Sequence, residues 1–127
     1  MYTFKKEERL CNKKLIDGLF HNGSSFLCYP FRASWALTSS EQQFPVQIVF
    51  SVAKKRYKRA VDRNLVKRRM REAYRLNKQS LLYDVLNTAE KKLVLSISYI
   101  GKEISTSDLF EKKMIKLLNQ LAGEAIK

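Results

Sequence analysis

Val46-Gln47-Ile48-Val49-Phe50-Ser51-Val52 runs without a break into Ala53-Lys54-Lys55-Arg56-Tyr57-Lys58-Arg59, and from there into Ala60-Val61-Asp62-Arg63-Asn64-Leu65-Val66-Lys67-Arg68-Arg69-Met70-Arg71-Glu72-Ala73-Tyr74-Arg75. In the first part Val46, Ile48, Phe50 and Val52 share one face of an extended chain, and Gln47, Val49 and Ser51 share the other. A period of two predicts a strand with one apolar and one mixed face. From Ala60 to Asn77 the period becomes that of a helix. At about 100° per residue, Arg63, Asn64, Lys67, Arg68, Arg71 and Arg75 gather in one arc of about 140°, and Leu65, Val66, Met70, Ala73 and Leu76 take most of the opposite side. Tyr74 stands at the border, where its ring can pack while its hydroxyl stays wet. Arg69 falls inside the apolar arc, which suits only a side chain snorkelling at the helix edge.

Outward from this stretch the elements follow one another simply. Residues 1–9 read as a polar arm, and Leu15, Ile16, Leu19 and Phe20 recur at helical spacing between Asn12 and His21. Asn22-Gly23 gives that helix a stop. Phe26 to Thr38 is aromatic and apolar and reads as extended chain, with Pro30 marking a strand start or an edge. Residues 39–43 form a polar turn. On the C-terminal side, a looser stretch leads to Leu93-Val94-Leu95-Ser96-Ile97-Ser98-Tyr99, a buried strand that Gly101-Lys102 breaks. A last helix carries Leu109, Phe110, Met114, Leu117, Leu118 and Leu121 as an apolar stripe. Ser107 or Asp108 can cap it, and Asp108 with Glu111 has capping-box spacing. The order is helix, strands, helix, strand, helix. An α+β chain of this kind buries its stripes as a two-layer α/β sandwich, here one domain over residues 1–127.

Charge points to the partner. The chain has 25 Lys plus Arg against 12 Asp plus Glu, a net charge of +13. Between Lys54 and Arg75 eleven basic residues face two acidic ones, Asp62 and Glu72, so +9 of that charge is local. An excess of one sign repels itself unless a polyanion neutralises it. A helix whose back belongs to the core holds its front charges rigidly, a turn apart, which suits a phosphate backbone. Arginine can grip phosphate with both arms of its fork or stack on a base, whereas lysine acts as a point charge. The connection Lys54, Lys55, Arg56, Arg59 and the arc Arg63, Asn64, Lys67, Arg68, Arg71, Arg75 are therefore the candidate RNA contacts. The aromatics Phe20, Phe26, Tyr29, Phe31 and Trp35 could add stacking surfaces for unpaired bases.

Other chemistries find little support. Cys11 and Cys28 lack a metal-ligand spacing and His21 stands alone, so a zinc site is not expected, and the thiols read as reduced in a cytosolic protein. Asp17, Asp62 and Glu72 are too scattered for a two-metal nuclease. No signal peptide and no membrane-spanning run is read. The protein alone is not expected to cut anything. A helix-turn-helix spacing for DNA is also missing.

The basic segment closely resembles the protein subunit of bacterial ribonuclease P. That family pairs a strand ending in Ser-Val-x-Lys-Lys with a helix of the form Ala-Val-x-Arg-Asn-Arg-(Ile/Val)-Lys-Arg-x-x-Arg-Glu. The matching text is Ser51-Val52-Ala53-Lys54-Lys55 and Ala60-Val61-Asp62-Arg63-Asn64-Leu65-Val66-Lys67-Arg68-Arg69-Met70-Arg71-Glu72. Weaker likeness extends to Arg9-Leu10, Phe20 and Gly23. The resemblance implies an α-β-β-(β)-α-β-α sandwich with a left-handed βαβ crossover, as in the second domain of ribosomal protein S5. It implies an endoribonuclease whose catalyst is an RNA, using Mg²⁺ held mainly by that RNA and the substrate. The protein would bind the RNA one to one, as a monomer when alone, and grip the 5′ leader of precursor tRNA. Phe20 then looks leader-facing, Phe31 lies on the cleft strand, and Arg63, Asn64, Lys67, Arg68 and Arg71 meet the catalytic RNA. Two positions depart from the pattern. Leu65 replaces the second arginine of Arg-Asn-Arg, leaving its contact to a neighbour such as Arg69 or Arg59, and Ile16 replaces an aromatic of the leader cleft. The alternative left open by the residues themselves is a non-catalytic RNA-binding protein of the ribosome or its assembly.

Overall fold

Pro30 decides how the aromatic stretch folds. Without an N–H it cannot continue a strand ladder, and the run expected as one extended segment is instead a hairpin. Strand β1 (Ser24–Cys28) turns at Tyr29-Pro30 into β2 (Phe31–Leu37), with Cys28 opposite Phe31 and Ser24 opposite Trp35. The computed structural model describes residues 8–9, 18, 23–38 and 44–126. Of the helix expected over residues 12–21 only Gly18 is among them, and it is helical. Ile16 and Phe20 lie outside the described residues, as does Cys11.

The remaining strands are β3 (Val46–Val52) and β4 (Leu93–Tyr99), both with the bounds their alternation predicts. They pair in parallel, and β2 lies antiparallel on the other side of β4, so the sheet order is β1-β2-β4-β3. A parallel pair needs a long crossover, supplied here by α1 (Ala60–Lys78), a π-helical turn (Gln79–Tyr83) and α2 (Asp84–Thr88). The looser stretch expected after Asn77 is therefore a continuation of the helix: Leu82, Tyr83 and Leu86 are buried, and their packing outweighs the polar residues between them. The chain closes with α3 (Ser107–Ala125).

Both long helices cover one face of the sheet, α1 over β3 and α3 over β1 and β2, and they pack on each other. That face carries Phe31, Ala33, Ile48, Leu95, Ile97 and Tyr99, which meet Val66, Met70, Tyr74, Phe110, Met114 and Leu117 from the helices, all buried. Leu109, expected in the α3 stripe, is partly exposed and stands outside this core. The cap of α3 also differs from expectation. Thr106, in extended conformation, accepts a hydrogen bond from the Leu109 N–H at 3.3 Å, so neither Ser107 nor Asp108 caps the helix. Tyr74 is a second correction. It has no exposed surface, and its hydroxyl donates to the Tyr83 hydroxyl at 3.3 Å, because the π turn brings a phenol where solvent was expected. Burial pushes the Tyr74 phenol well above its ordinary pKa.

Candidate RNA interface

β3 delivers the chain to the basic loop, and the loop is held from behind. Arg56 and Tyr57 donate their N–H groups to the Ala53 carbonyl at 3.1 and 3.3 Å, closing a tight turn over Lys54 and Lys55. The Tyr57 ring is buried and its hydroxyl donates to the Gly101 carbonyl at 2.7 Å. Burial accordingly raises the phenol's pKa. Gly101 must be glycine for this approach, since a Cβ would come within 2.7 Å of the Tyr99 ring. Arg56 adds a bond from Nη1 to the Ile100 carbonyl at 3.1 Å. Lys54, Lys55, Arg56, Lys58 and Arg59 all remain exposed.

Helix α1 begins without a side-chain cap, Arg59 being its extended N-cap residue. Arg63 turns back and donates from Nη1 to the carbonyls of Tyr57 and Lys58, each at 2.8 Å. Part of its donor set is therefore spent shaping the loop, and Arg63 presents less of itself outward than its place on the helix suggests. Asn64, Arg68 and Arg71 are exposed, and Lys67 is half-buried. Among the described residues the ion pairs are Arg75 with Glu72 and Lys78 with Glu8. Arg63, Lys67, Arg68 and Arg71 thus face no carboxylate partner there. Val66 and Met70 behind them have no exposed surface, so the cationic arc stands on a packed base as the helical period requires.

Two expected residues take other roles. Arg75 is engaged by Glu72 one turn back, through a forked hydrogen bond. Arg69 resolves differently from snorkelling. Half-buried between α1 and α3, it donates to the Ser105 carbonyl ahead of α3 and so cannot stand in for the arginine missing at Leu65. Arg59 is exposed and remains available. A groove of ≈ 330 Å³ beside Arg68 is floored by Ala73 and Leu76 and rimmed by Asp108 and Glu111. Its carboxylates oppose phosphate and bound the cationic arc on that side.

Phe31 is corrected outright. It has no exposed surface and packs edge-on against Tyr99 and Phe110, at centroid distances of 5.9 and 5.6 Å. It lies on the expected strand but points into the core, so it cannot touch a leader. The parity of β2 then puts Arg32 on the face of the sheet away from α1 and α3. The register aligns Leu27, Arg32, Ser98 and Ser51 in one row across that face. Leu27 and Arg32 are exposed, and the Ser51 and Ser98 hydroxyls share a hydrogen bond of 2.8 Å. Arg32 and Arg56 line one pocket with Leu27 and Ile100, which brings the sheet row to the basic loop. Arg32 was missed because a single arginine in an aromatic run looks incidental; its alternation with Phe31 and Ala33 was the available signal.

The donors assembled here are cationic. Among the described residues no three of His, Cys, Asp and Glu come together in a way that could hold a metal ion, so the side chains of this face do not fit a protein-held Mg²⁺. None of them is a nucleophile poised beside a base.

A two-layer α+β scaffold that presents a fixed basic loop, a cationic helix face and an exposed arginine on the sheet defines an RNA-binding protein. The family model described as Ribonuclease P matches residues 4–121. Over 122 residues, 96% of this chain and 88% of the relative, the chain is 38% identical to the ribonuclease P protein component of Porphyromonas gingivalis. It is 30% identical to that of Chlorobium phaeobacteroides over 94% of this chain and 88% of the other. The solved RNase P protein of Staphylococcus aureus superposes with a TM-score of 0.70 at 16% identity, covering 91% of this chain and 94% of that one. The Thermotoga maritima protein gives 0.69 at 22%, covering 89% and 96%. The chain belongs to the ribonuclease P protein family. It serves as the protein subunit of the enzyme, aiding RNA-based, Mg²⁺-dependent maturation of tRNA 5′ ends.

Proposed function

We propose that the two halves of this surface divide the RNA between them. The loop Lys54–Arg59 and the arc Asn64, Lys67, Arg68 and Arg71 hold the catalytic RNA, each neutralised phosphate releasing counterions. The row Leu27, Arg32, Ser98 and Ser51, with Arg56 at its end, receives the single-stranded leader of precursor tRNA. Hydroxyls and arginine forks suit sugar and phosphate there, and the exposed Leu27 offers an apolar contact to a base. Ile16 and Phe20 join the leader contacts on the strength of the family resemblance. Hydrolysis itself belongs to the RNA and its Mg²⁺, while the protein positions and neutralises.

The observation that carries this reading is a row of cations, without carboxylate partners among the described residues, on a helix pinned by its buried side. Reconstitution tests it. Purified protein should leave precursor tRNA intact, and protein with its cognate RNA and Mg²⁺ should yield mature 5′ ends. Arg32→Ala should raise KM for a substrate with a leader and leave RNA-subunit affinity unchanged. Equal weakening of both, or no change in either, would refute the division.

A further inference from the structure

A buried charge pair lies behind the RNA face, at the far end of α1. Glu8 and Lys78 form an ion pair in which each side chain is only 2% exposed. The Tyr83 hydroxyl donates to the same Glu8 oxygen at 3.0 Å, and Tyr74 donates to Tyr83 in turn. The Lys78 ammonium also sits over the rings of Tyr83 and Tyr74, 5.3 and 5.9 Å from their centroids. The π-helical turn that begins at Gln79 makes this possible. Its wider step, five residues where an α-helix takes four, brings Tyr83 into line with Lys78.

Such a pair is a poor way to gain stability. Removing two charges from water costs about as much as their attraction returns, and an apolar pair of equal volume often does as well or better. A carboxylate that must meet one ammonium and one phenol does, however, fix a single register, which greasy contact would not. The register it fixes is that of the N-terminal arm. Arg9, the next residue, bridges Ile48 in parallel with β3, so the chain there heads toward the end of β3 that opens into the basic loop. The next long described stretch begins at Gly23 and opens β1 at the opposite edge of the sheet, where Ser24 lies in one row with Trp35, Leu95, Ile48 and Arg9. The connection that carries Ile16 and Phe20 therefore leaves from the β3 edge and returns at the β1 edge on the same level, and Glu8 sets where it leaves.

We propose that Glu8, Lys78 and Tyr83 form a positioning clamp that registers the N-terminal arm against the RNA-binding helix, and through it the grip on the precursor leader. This rests on the leader assignment above. Glu8 and Lys78 touch no substrate; they act through the arm.

The test uses holoenzyme rebuilt with the cognate RNA, and compares affinity for precursor tRNA with affinity for mature tRNA, which lacks a leader. Glu8→Gln should reduce the leader-dependent gain by at least about fivefold, with RNA-subunit and mature-tRNA affinities held within about twofold. Because a lone buried charge can unfold the protein, the double variant Glu8→Leu/Lys78→Met keeps the test open. It buries no unpaired charge and leaves only the Tyr83 hydroxyl without its acceptor, so it should still fold cooperatively, and it should still lose the leader gain. Tyr83→Phe, which keeps the ring, should lose less. Parent-like leader discrimination in the folded double variant would overturn the clamp, as would equal weakening of precursor and mature tRNA. Phe20→Ala separates the two readings. If it too leaves the leader gain intact, the leader assignment fails; if it abolishes the gain while the double variant does not, only the clamp fails.

Discussion

Helices α1 and α3 are each 19 residues long, lie side by side on the same face of the sheet, and bury a continuous stripe, yet only α1 carries the proposed RNA-binding face. The difference is on their outer sides. Leaving out the buried Lys78, α1 carries six basic and two acidic residues, and α3 carries three of each. Their ends differ as well. α3 is capped by Thr106 at its start, and Lys91 donates to the Ala125 carbonyl at 3.0 Å at its finish. α1 starts with no side-chain cap, and its first N–H groups stand beside the basic loop, where the positive end of a helix favours an anion. Packing therefore says where a helix lies, and the sign of its free side says what it is for.

Substitutions on the two helices can break or sharpen that contrast. The largest effect belongs to the shared property, burial. Val66→Asp puts a carboxylate into the sheet-facing side of α1 and should cost more than about 4 kcal/mol, seen as loss of the cooperative thermal transition. Next come the outer faces. Arg68→Ala and Arg71→Ala should each weaken RNA binding roughly tenfold at low salt and lower the slope of log affinity against log salt by about one, with stability changed by less than about 0.5 kcal/mol. The matched changes Lys112→Ala and Lys116→Ala on α3 should leave RNA affinity as it was. If the two sets behave alike, charge on α1 is not special and the contrast fails. Thr106→Ala should destabilise α3 by about 1 kcal/mol in denaturant titration, without touching RNA affinity.

The smallest effect is on pH. Its hydrogen bond with Arg75 holds the Glu72 carboxyl below the ordinary carboxylate range. A lowered folded pKa contributes stability that is present above the ordinary value and is lost as pH falls through the lowered one. Both partners are well solvated, so the contribution is slight. Melting temperatures of the parent and Glu72→Gln should differ slightly near neutral pH and converge as pH falls below the ordinary carboxylate range. A gap that persists in acid would mean that Glu72 acts by packing.

What the sequence revealed followed from periodicity. Strands β3 and β4 and the buried side of α1 repeat at fixed intervals, and Val52, Val66 and Leu95 sit where that repeat puts them. Partners distant in the chain were not legible. Arg69 looked misplaced because its acceptor, Ser105, lies 36 residues away on another element. Tyr74 was expected to be wet because nothing local announces a π turn five residues later. Phe31 was assigned to the cleft by the family resemblance, while the strand-face parity it shares with the buried Trp35 already put that face toward the core. Glu8 had the most ordinary appearance of all, one acid in a polar arm, and its partner is 70 residues away.

The anchoring of Tyr57 beneath the basic loop bears on how association happens. A polybasic tail must freeze its backbone when it meets a polyanion, and that lost freedom weakens every contact it makes. Here the turn is already set before any nucleic acid arrives, so ordering on encounter falls only on the outer lysine and arginine side chains, about 0.5–1.5 kcal/mol for each one immobilised. Loosening the loop with Tyr57→Phe, which removes only the bond to Gly101, should therefore show up as faster dissociation while the salt slope stays the same.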